Sequence, residues 1–269
     1  MTTHELAAFA QRNSPTENWV DGLEARKVAE LQFHDALRAH QLPPDSAGNE
    51  KFYAASGDAA AYAHQWIAEH CRGKVVLDLA CGDGALSLRA AEEGAALCIG
   101  VDLSDISIQQ AACSAHAQGF SERAIFVQGD AENTGLPDES IDVVLCGGVL
   151  HHLDLSYAFP EIRRVLKPGG AVFGWEALAY NPLIRLYRNL TPAMRTDWEK
   201  KHILTLADLR FASRFFEVRN VRYWTLLSLV GVFCRPLLPA LSAIDHVLLR
   251  LPLIRCLSWS FTFELHRPA

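Results

Sequence analysis

No apolar run in this chain is long enough to cross a bilayer. The most hydrophobic stretch, from Thr225 to Cys256, is broken by Arg235, Pro236, Pro239, Asp245, Arg250 and Pro252, and a spanning helix needs about 20 uninterrupted residues. Basic charge is not in excess either: a formal net charge of −6 argues against broad binding to nucleic acid. The seven cysteines (Cys71, Cys81, Cys98, Cys113, Cys146, Cys234 and Cys256) are odd in number and never spaced as C-x-x-C. That pattern favours reduced, buried thiols over disulfides or a zinc site. The opening "MTTHELAAFAQRN" lacks the basic start and apolar block of a secretory signal, so a cytoplasmic protein is expected. Internal repeats and low-complexity tracts are also missing.

What is present is an ordinary globular composition, half hydrophobic and 21% charged, in a chain of 269 residues. From Glu17 to His40, Val20, Leu23, Val28, Leu31 and Leu37 recur at helical spacing, and "QLPPDSAGN" then breaks the pattern. A second helix is expected from about Asp58 to Cys71, turning Tyr62, Trp66 and Ile67 inward. From Lys74 onward, short β-branched runs alternate with helical segments: "KVVLDLA", "ALCIGVD", "AIFVQGD", "IDVVLCGG" and "AVFGWEA" read as strands. Such alternation predicts a parallel sheet with helices on both faces. Lys167-Pro168-Gly169-Gly170 reads as the turn admitting the fifth strand, and Thr205 with Asp208 as the cap of a short helix. "FFEVRNVRYW" and "LSWSFTFELH" read as two closing strands. The expected organisation is one domain: a helical cap over 1–72, a core over 73–176, an insertion over 177–214, and final strands with an apolar helical segment over 215–269.

Three successive strands are read as finishing on an acid: Asp78, Asp102 and Asp130, spaced 24 and 28 residues apart. Each interval suits one strand–helix–strand step, so the three carboxylates are expected along one rim of the sheet, where open parallel sheets bind ligands. Gly82 and Gly84 allow a tight turn and close backbone approach. Asp102 stands where an acid accepts both hydroxyls of a ribose. Asp130, with Ala131, can accept from an exocyclic amine, and Asp78 suits an ammonium group. A ligand with adenine, ribose and ammonium differs from a dinucleotide, whose pyrophosphate an acid would repel.

In order along the chain, "VLDLACGDGALSL", "GVDLS", "GDAENTGLPDESIDVVLCGGVLHHL" and "LKPGG" resemble the motifs of class I S-adenosylmethionine-dependent methyltransferases, especially the quinone-biosynthesis and small-molecule subgroup. The resemblance implies a Rossmann-like α/β fold with a seven-stranded, mostly parallel sheet whose last strand is antiparallel. It implies S-adenosyl-L-methionine as cofactor, with Asp78, Ala80, Gly82 and Gly84 around the methionine part. Asp102 and Leu103 would sit at the ribose, Asp130 and Ala131 at the adenine, and Gly147 and Tyr53 nearby. Ala80 departs from the family pattern, which has glycine there; only a slight shift is expected.

Other residues carry two readings. His152 and Glu176 are candidate bases for a hydroxyl acceptor, with a structural histidine the rival reading for His152. His151-His152 is not read as a metal site, because adjacent side chains point different ways and no carboxylate follows at ligand spacing. Asp142 begins a strand and is read as structural. Cys81 and Cys146 are read as packing, and Tyr53 and Tyr62 as either closing over the cofactor or filling the core. Tyr180, Asn181, Arg185 and His202 lie in the insertion, where the acceptor is expected. The segment 225–256 packs, lines a pocket or touches a membrane surface, and each option tilts the acceptor toward a lipophilic quinone, phenol, lipid or secondary metabolite. The functional expectation is methyl transfer. The alternatives are a non-catalytic binding protein of this fold and a nicotinamide oxidoreductase; the third glycine of G-x-G-x-x-G, which the latter requires, is missing.

Overall fold

The pattern of burial along the central strands decides the architecture. In the computed structural model, which describes residues 1–15, 19–39 and 54–269, β1 (Val75–Leu79) is buried at all five positions. β2 (Leu97–Asp102) is buried except at its last residue. Strands apolar on both sides must be covered on both faces. Successive side chains alternate between those faces. Thus Leu77 and Leu79 join Ile99, Val101, Phe159 and Ile162 in one core, whereas Val76 joins Cys98, Leu145, Phe173, Trp66 and Ile67 in the other. Each such fully buried side chain contributes about 1.5–3 kcal/mol.

The sheet has seven strands in the order β3-β2-β1-β4-β5-β7-β6. β3 spans Ala124–Gln128, β4 Ile141–Gly147, β5 Leu166–Ala177, β6 Glu217–Trp224 and β7 Ser260–His266. β1 through β5 pair in parallel, and β7 runs antiparallel to both β5 and β6. From β1 the chain steps outward to β2 and β3, then returns to place β4 on the opposite side of β1. That reversal opens a crevice beyond the strand ends.

Nine longer helices surround the sheet among the described residues. α1 (Thr3–Arg12) and α2 (Ala25–Arg38) precede the sheet, followed by α3 (Gly57–His70), α4 (Ala85–Glu92), α5 (Asp105–Ala117) and α6 (Leu155–Val165). α7 is Pro182–Leu190, α8 Leu206–Ala212 and α9 Leu238–Leu248. Thr205 and Asp208 form the reciprocal capping box of α8. Trp66 and Ile67 of α3 point inward as expected, while Tyr62 is half-buried against Trp224 and Phe173. Asp142 is structural: it accepts from the Val75 amide at 2.8 Å and from Lys167 Nζ at 2.8 Å.

The Lys167–Gly170 turn is corrected by the structure. β5 already begins at Leu166, which pairs with Ile141, and the register shifts before Ala171 meets Val143. Gly169, at φ +77°, absorbs the irregularity within the strand and donates to Arg267 O. Across 225–257 the chain forms short 3-10 turns around α9. Among the described residues, no helix is long and apolar enough to cross a membrane.

Candidate functional site

The crevice at the strand ends contains a cavity of about 310 Å³. Its floor comes from the four loops after β1, β2, β3 and β4, and its roof from α2. Lys27, Glu30, Leu31, His34 and Arg38 line the roof, at the three- and four-residue spacing that puts side chains on one helix face.

The turn after β1 carries the closest backbone approach. Gly82 lies at φ +55°, and a Cβ there would stand 2.8 Å from Arg38 Nη2. Ala80 also lines the cavity and has φ +50°, a conformation that favours glycine and strains a side chain. The turn is held by Asp102, whose Oδ2 accepts from the Gly82 amide at 2.8 Å and whose Oδ1 accepts from the Ser104 amide at 2.9 Å. Leu103, Ala131 and Gly147 complete the same cavity.

Two expected ligand residues lie elsewhere. Asp78 is not on the cavity wall: it is buried, facing α4, and its Oδ2 accepts from the Ser87 amide and hydroxyl at 2.9 and 2.8 Å. Burial, partly offset by those two hydrogen bonds, pushes its carboxyl up to about 7. Gly84 is also off the wall. Its φ of +80° starts α4, and a Cβ would strike the Phe126 ring at 2.7 Å. Tyr53 lies outside the described residues. Burial holds the Cys81 and Cys146 thiols well above their ordinary range, as packing groups require.

The cation–acid lattice over this cavity has no local sequence signal. Lys27 Nζ meets Asp130 Oδ2 at 2.6 Å and Glu132 Oε2 at 2.9 Å. Arg26 grips Glu132 with both terminal nitrogens, at 2.8 and 2.5 Å, and its guanidinium lies over Trp198. Burial opposes the Lys27 charge, but its bonds to Asp130 and Glu132 prevail and raise it above its ordinary value. Such planar, bidentate pairing is the strong form of the interaction. It ties α2 to the loop after β3.

A second cavity, also about 310 Å³, is mainly apolar. Leu183, Ile184 and Tyr187 of α7 line it with Leu229, Val230, Phe233 and Trp259, while His151, Arg188, Arg195 and Glu199 supply polar groups. The four insertion residues named from the sequence do other work. Tyr180 Oη accepts from the Leu206 amide, Asn181 caps α7, Arg185 is exposed, and His202 stacks on Trp198.

The two cavities meet at the adjacent histidines. His152 lines the first and His151 the second, with ring centroids 4.1 Å apart. His152 Nδ1 lies 2.9 Å from Glu30 Oε2. Burial, then the neighbouring His151, hold His152 below its ordinary value despite that bond. For Glu30, burial opposes ionisation, but hydrogen bonds from His152 and His34 hold it far below the usual carboxylate range. The pair is therefore a carboxylate with a neutral imidazole. Glu176, read as a candidate base, instead lies behind the wall. Its Oε1 accepts from the Val149 and Leu150 amides at 2.8 and 2.7 Å, and its Oε2 stands 2.7 Å from His151 Nδ1. With an ionised carboxylate there, Nδ1 is the donor, and in the neutral imidazole Nε2 is then the acceptor. His151 is thus the residue with a base's arrangement, and the sequence reading missed it.

Residues 77–174 match the family model described as a methyltransferase domain. A sterol 24-C-methyltransferase of Aspergillus fumigatus is 37% identical over 130 residues, covering 48% of this chain and 34% of that protein. The 27-O-demethylrifamycin SV methyltransferase of Amycolatopsis mediterranei is 32% identical over 99 residues, covering 36% of each. The chain therefore spans about a third of the length of these curated relatives. In fold it is similar to the geranyl diphosphate C-methyltransferase of Streptomyces coelicolor, solved with Mg2+, geranyl diphosphate and S-adenosyl-L-homocysteine. That match has a TM-score of 0.60 and 14% identity, over 78% of this chain and 79% of that one. It is similar too to the cyclase SpnF, with a TM-score of 0.56 and 22% identity over 79% and 82% of the two chains.

Proposed function

We propose that this chain, whose residues 77–174 match a methyltransferase domain, transfers a methyl group from S-adenosyl-L-methionine to a small lipophilic acceptor. The observation that carries the reading is the pair of cavities meeting at His151-His152, one rimmed by strand-end acids and the other apolar. The first fits the cofactor in its chemistry: Gly82 offers backbone approach beside the methionine part, Asp102 the acceptor for a ribose, and Asp130 with Ala131 the edge for adenine. Asp78 acts on that site through the Ser87 end of α4. When bound, the sulfonium supplies an already activated methyl group. The protein's own work is then to align the acceptor and exclude water. For a hydroxyl acceptor, His151 takes the proton at Nε2 while Glu176 holds its ring through Nδ1.

The lipophilic acceptor has support beyond the cavity lining. Leu183, Val230 and Phe233 line the second cavity and are 75%, 63% and 75% exposed, so its mouth is apolar outside as well as inside. The segments 182–190 and 226–257 contain one acid, Asp245, and it is buried. Its oxygens accept from the Leu226, Leu227 and Ser228 amides. Arg185, Arg235 and Arg250 are exposed on the same segments. An apolar surface carrying only cationic charge suits an anionic lipid interface. On this reading the protein touches an anionic membrane surface peripherally through 225–256 and α7, and we take it as a cytoplasmic enzyme of the small-molecule or secondary-metabolite class.

The test is calorimetric titration with S-adenosyl-L-methionine and S-adenosylhomocysteine, followed by a methyl-transfer screen of lipophilic phenols, quinones and sterols. Both ligands are expected to bind, and Asp102→Ala to weaken them about 10- to 100-fold. Absence of binding by folded protein would overturn the reading, whereas binding without transfer to any acceptor would favour a non-catalytic protein. Sedimentation with phosphatidylglycerol vesicles should capture the chain, and Phe233→Asp with Leu183→Asp should release it. Equal capture by neutral phosphatidylcholine would remove the electrostatic part.

A further inference from the structure

Glu30 is buried in an unusual company. Among the described residues, no lysine or arginine lies within ion-pair reach of its carboxylate; its partners are His152, His34 and the hydroxyl of Thr196. Of the cations on the same helix, Arg26 and Lys27 are taken by Glu132 and Asp130, and Arg38, at its last turn, makes no ion pair with Glu30. A carboxylate and two imidazoles therefore converge on one point from two elements. Glu30 and His34 stand four residues apart on α2, and His152 comes from the loop after β4.

We propose that Glu30, His34 and His152 bind a first-row divalent transition-metal ion, of the zinc type, that clasps α2 to the loop after β4. The geometry carries it. His152 Nδ1 is 2.9 Å from Glu30 Oε2, His34 Nε2 is 3.6 Å from the same oxygen, and the three donor atoms all lie within 4.8 Å of one another. Neighbouring ligand atoms around a tetrahedral zinc ion stand roughly 3.3 Å apart, given bonds of about 2.0–2.2 Å. Two of the three separations thus bracket the required value, and His34, with a third of its side chain exposed, has room to swing. Donors of two nitrogens and one oxygen suit zinc, cobalt or nickel and not magnesium or calcium, which take oxygen. Thr196 donates to the other Glu30 oxygen and fixes the carboxylate's orientation, the outer-shell support that such ligands have. All three ligands line the first cavity, so the remaining coordination position faces it. The sequence reading dismissed a metal at His151-His152 because no carboxylate follows at ligand spacing; the fold supplies one from 122 residues away.

The test does not depend on methyl transfer. Full-length protein stripped with EDTA is titrated with Co2+ and followed by its visible ligand-field bands, and with Zn2+ by calorimetry. One equivalent is expected, with the band intensity of a four- or five-coordinate nitrogen–oxygen site. Thr196→Val should weaken Zn2+ about 10-fold, and His34→Ala and Glu30→Gln should weaken it further. Zn2+ should raise the melting temperature of the parent protein but not that of His34→Ala, a change at a partly exposed position. Absence of a stoichiometric Co2+ spectrum in the parent protein would overturn the proposal. So would binding that survives His34→Ala, or sulfur-to-cobalt charge-transfer bands, since those assign the metal to the exposed thiols Cys113 and Cys234.

Discussion

The two cavities are alike in volume and opposite in construction. The first is floored by backbone turns at the ends of four parallel strands, and its polar groups are acids held by amides and cations. The second is walled by side chains from α7, the 228–233 turn and Trp259, segments that meet only after the chain has folded. The floor of a site built at strand ends is dictated by local sequence, whereas a side-chain pocket belongs to the particular packing around it. This is why the first can be shared across a fold and the second can specify an acceptor.

The sharpest break between the two comes from His151→Ala. For a hydroxyl acceptor, kcat is expected to fall about 10²- to 10⁴-fold while calorimetric affinity for S-adenosylhomocysteine stays unchanged, because His151 does not line that cavity. A loss of cofactor affinity instead would erase the division of labour.

Asp78 probes the reverse face of the first cavity. Its folded carboxyl is raised from 3.8 to about 7 by burial, so the native state holds the proton more tightly than the unfolded chain. Its contribution is therefore fully present below about pH 4, declines as pH rises from about 4 toward 7, and is lost above about pH 7. Asp78→Asn keeps an acceptor for Ser87 and never ionises. It should be more stable than the parent by about 2–4 kcal/mol above pH 7 and nearly equal below pH 4. Urea unfolding across pH decides this, and a pH-invariant difference would remove Asp78 as the source.

The smallest expected effect is at Ala80. Glycine there relieves the φ of +50°, and Ala80→Gly should add about 1 kcal/mol or less. Thermal unfolding would show it, with the second cavity untouched. Destabilisation would mean that the Ala80 methyl packs better than its backbone is strained.

Sequence legibility follows the same division. The glycine turn, Asp102 and Asp130 could be read because each lies at the end of its strand or within a few residues of it. The Thr205–Asp208 capping box could be read because its partners are three residues apart. The Lys27–Asp130 and Arg26–Glu132 pairs span 103 and 106 residues, and no local pattern announces them. Adjacent histidines were expected to diverge, yet only the packed loop assigns His151 to the apolar side. Asp78 was legible as an acid in a buried strand, but not its partner: facing α4 was set by the alternation of β1, and Ser87 by how that helix sits.

His151 and His152 are joined by one peptide unit, and each ring is tethered to a different body: Glu176 on β5 and Glu30 on α2. Any shift of that short turn is felt in both chambers at once. On the proposed function, occupancy of one chamber is expected to change affinity in the other, and whatever factor a bound donor imposes on the acceptor, the acceptor returns to the donor.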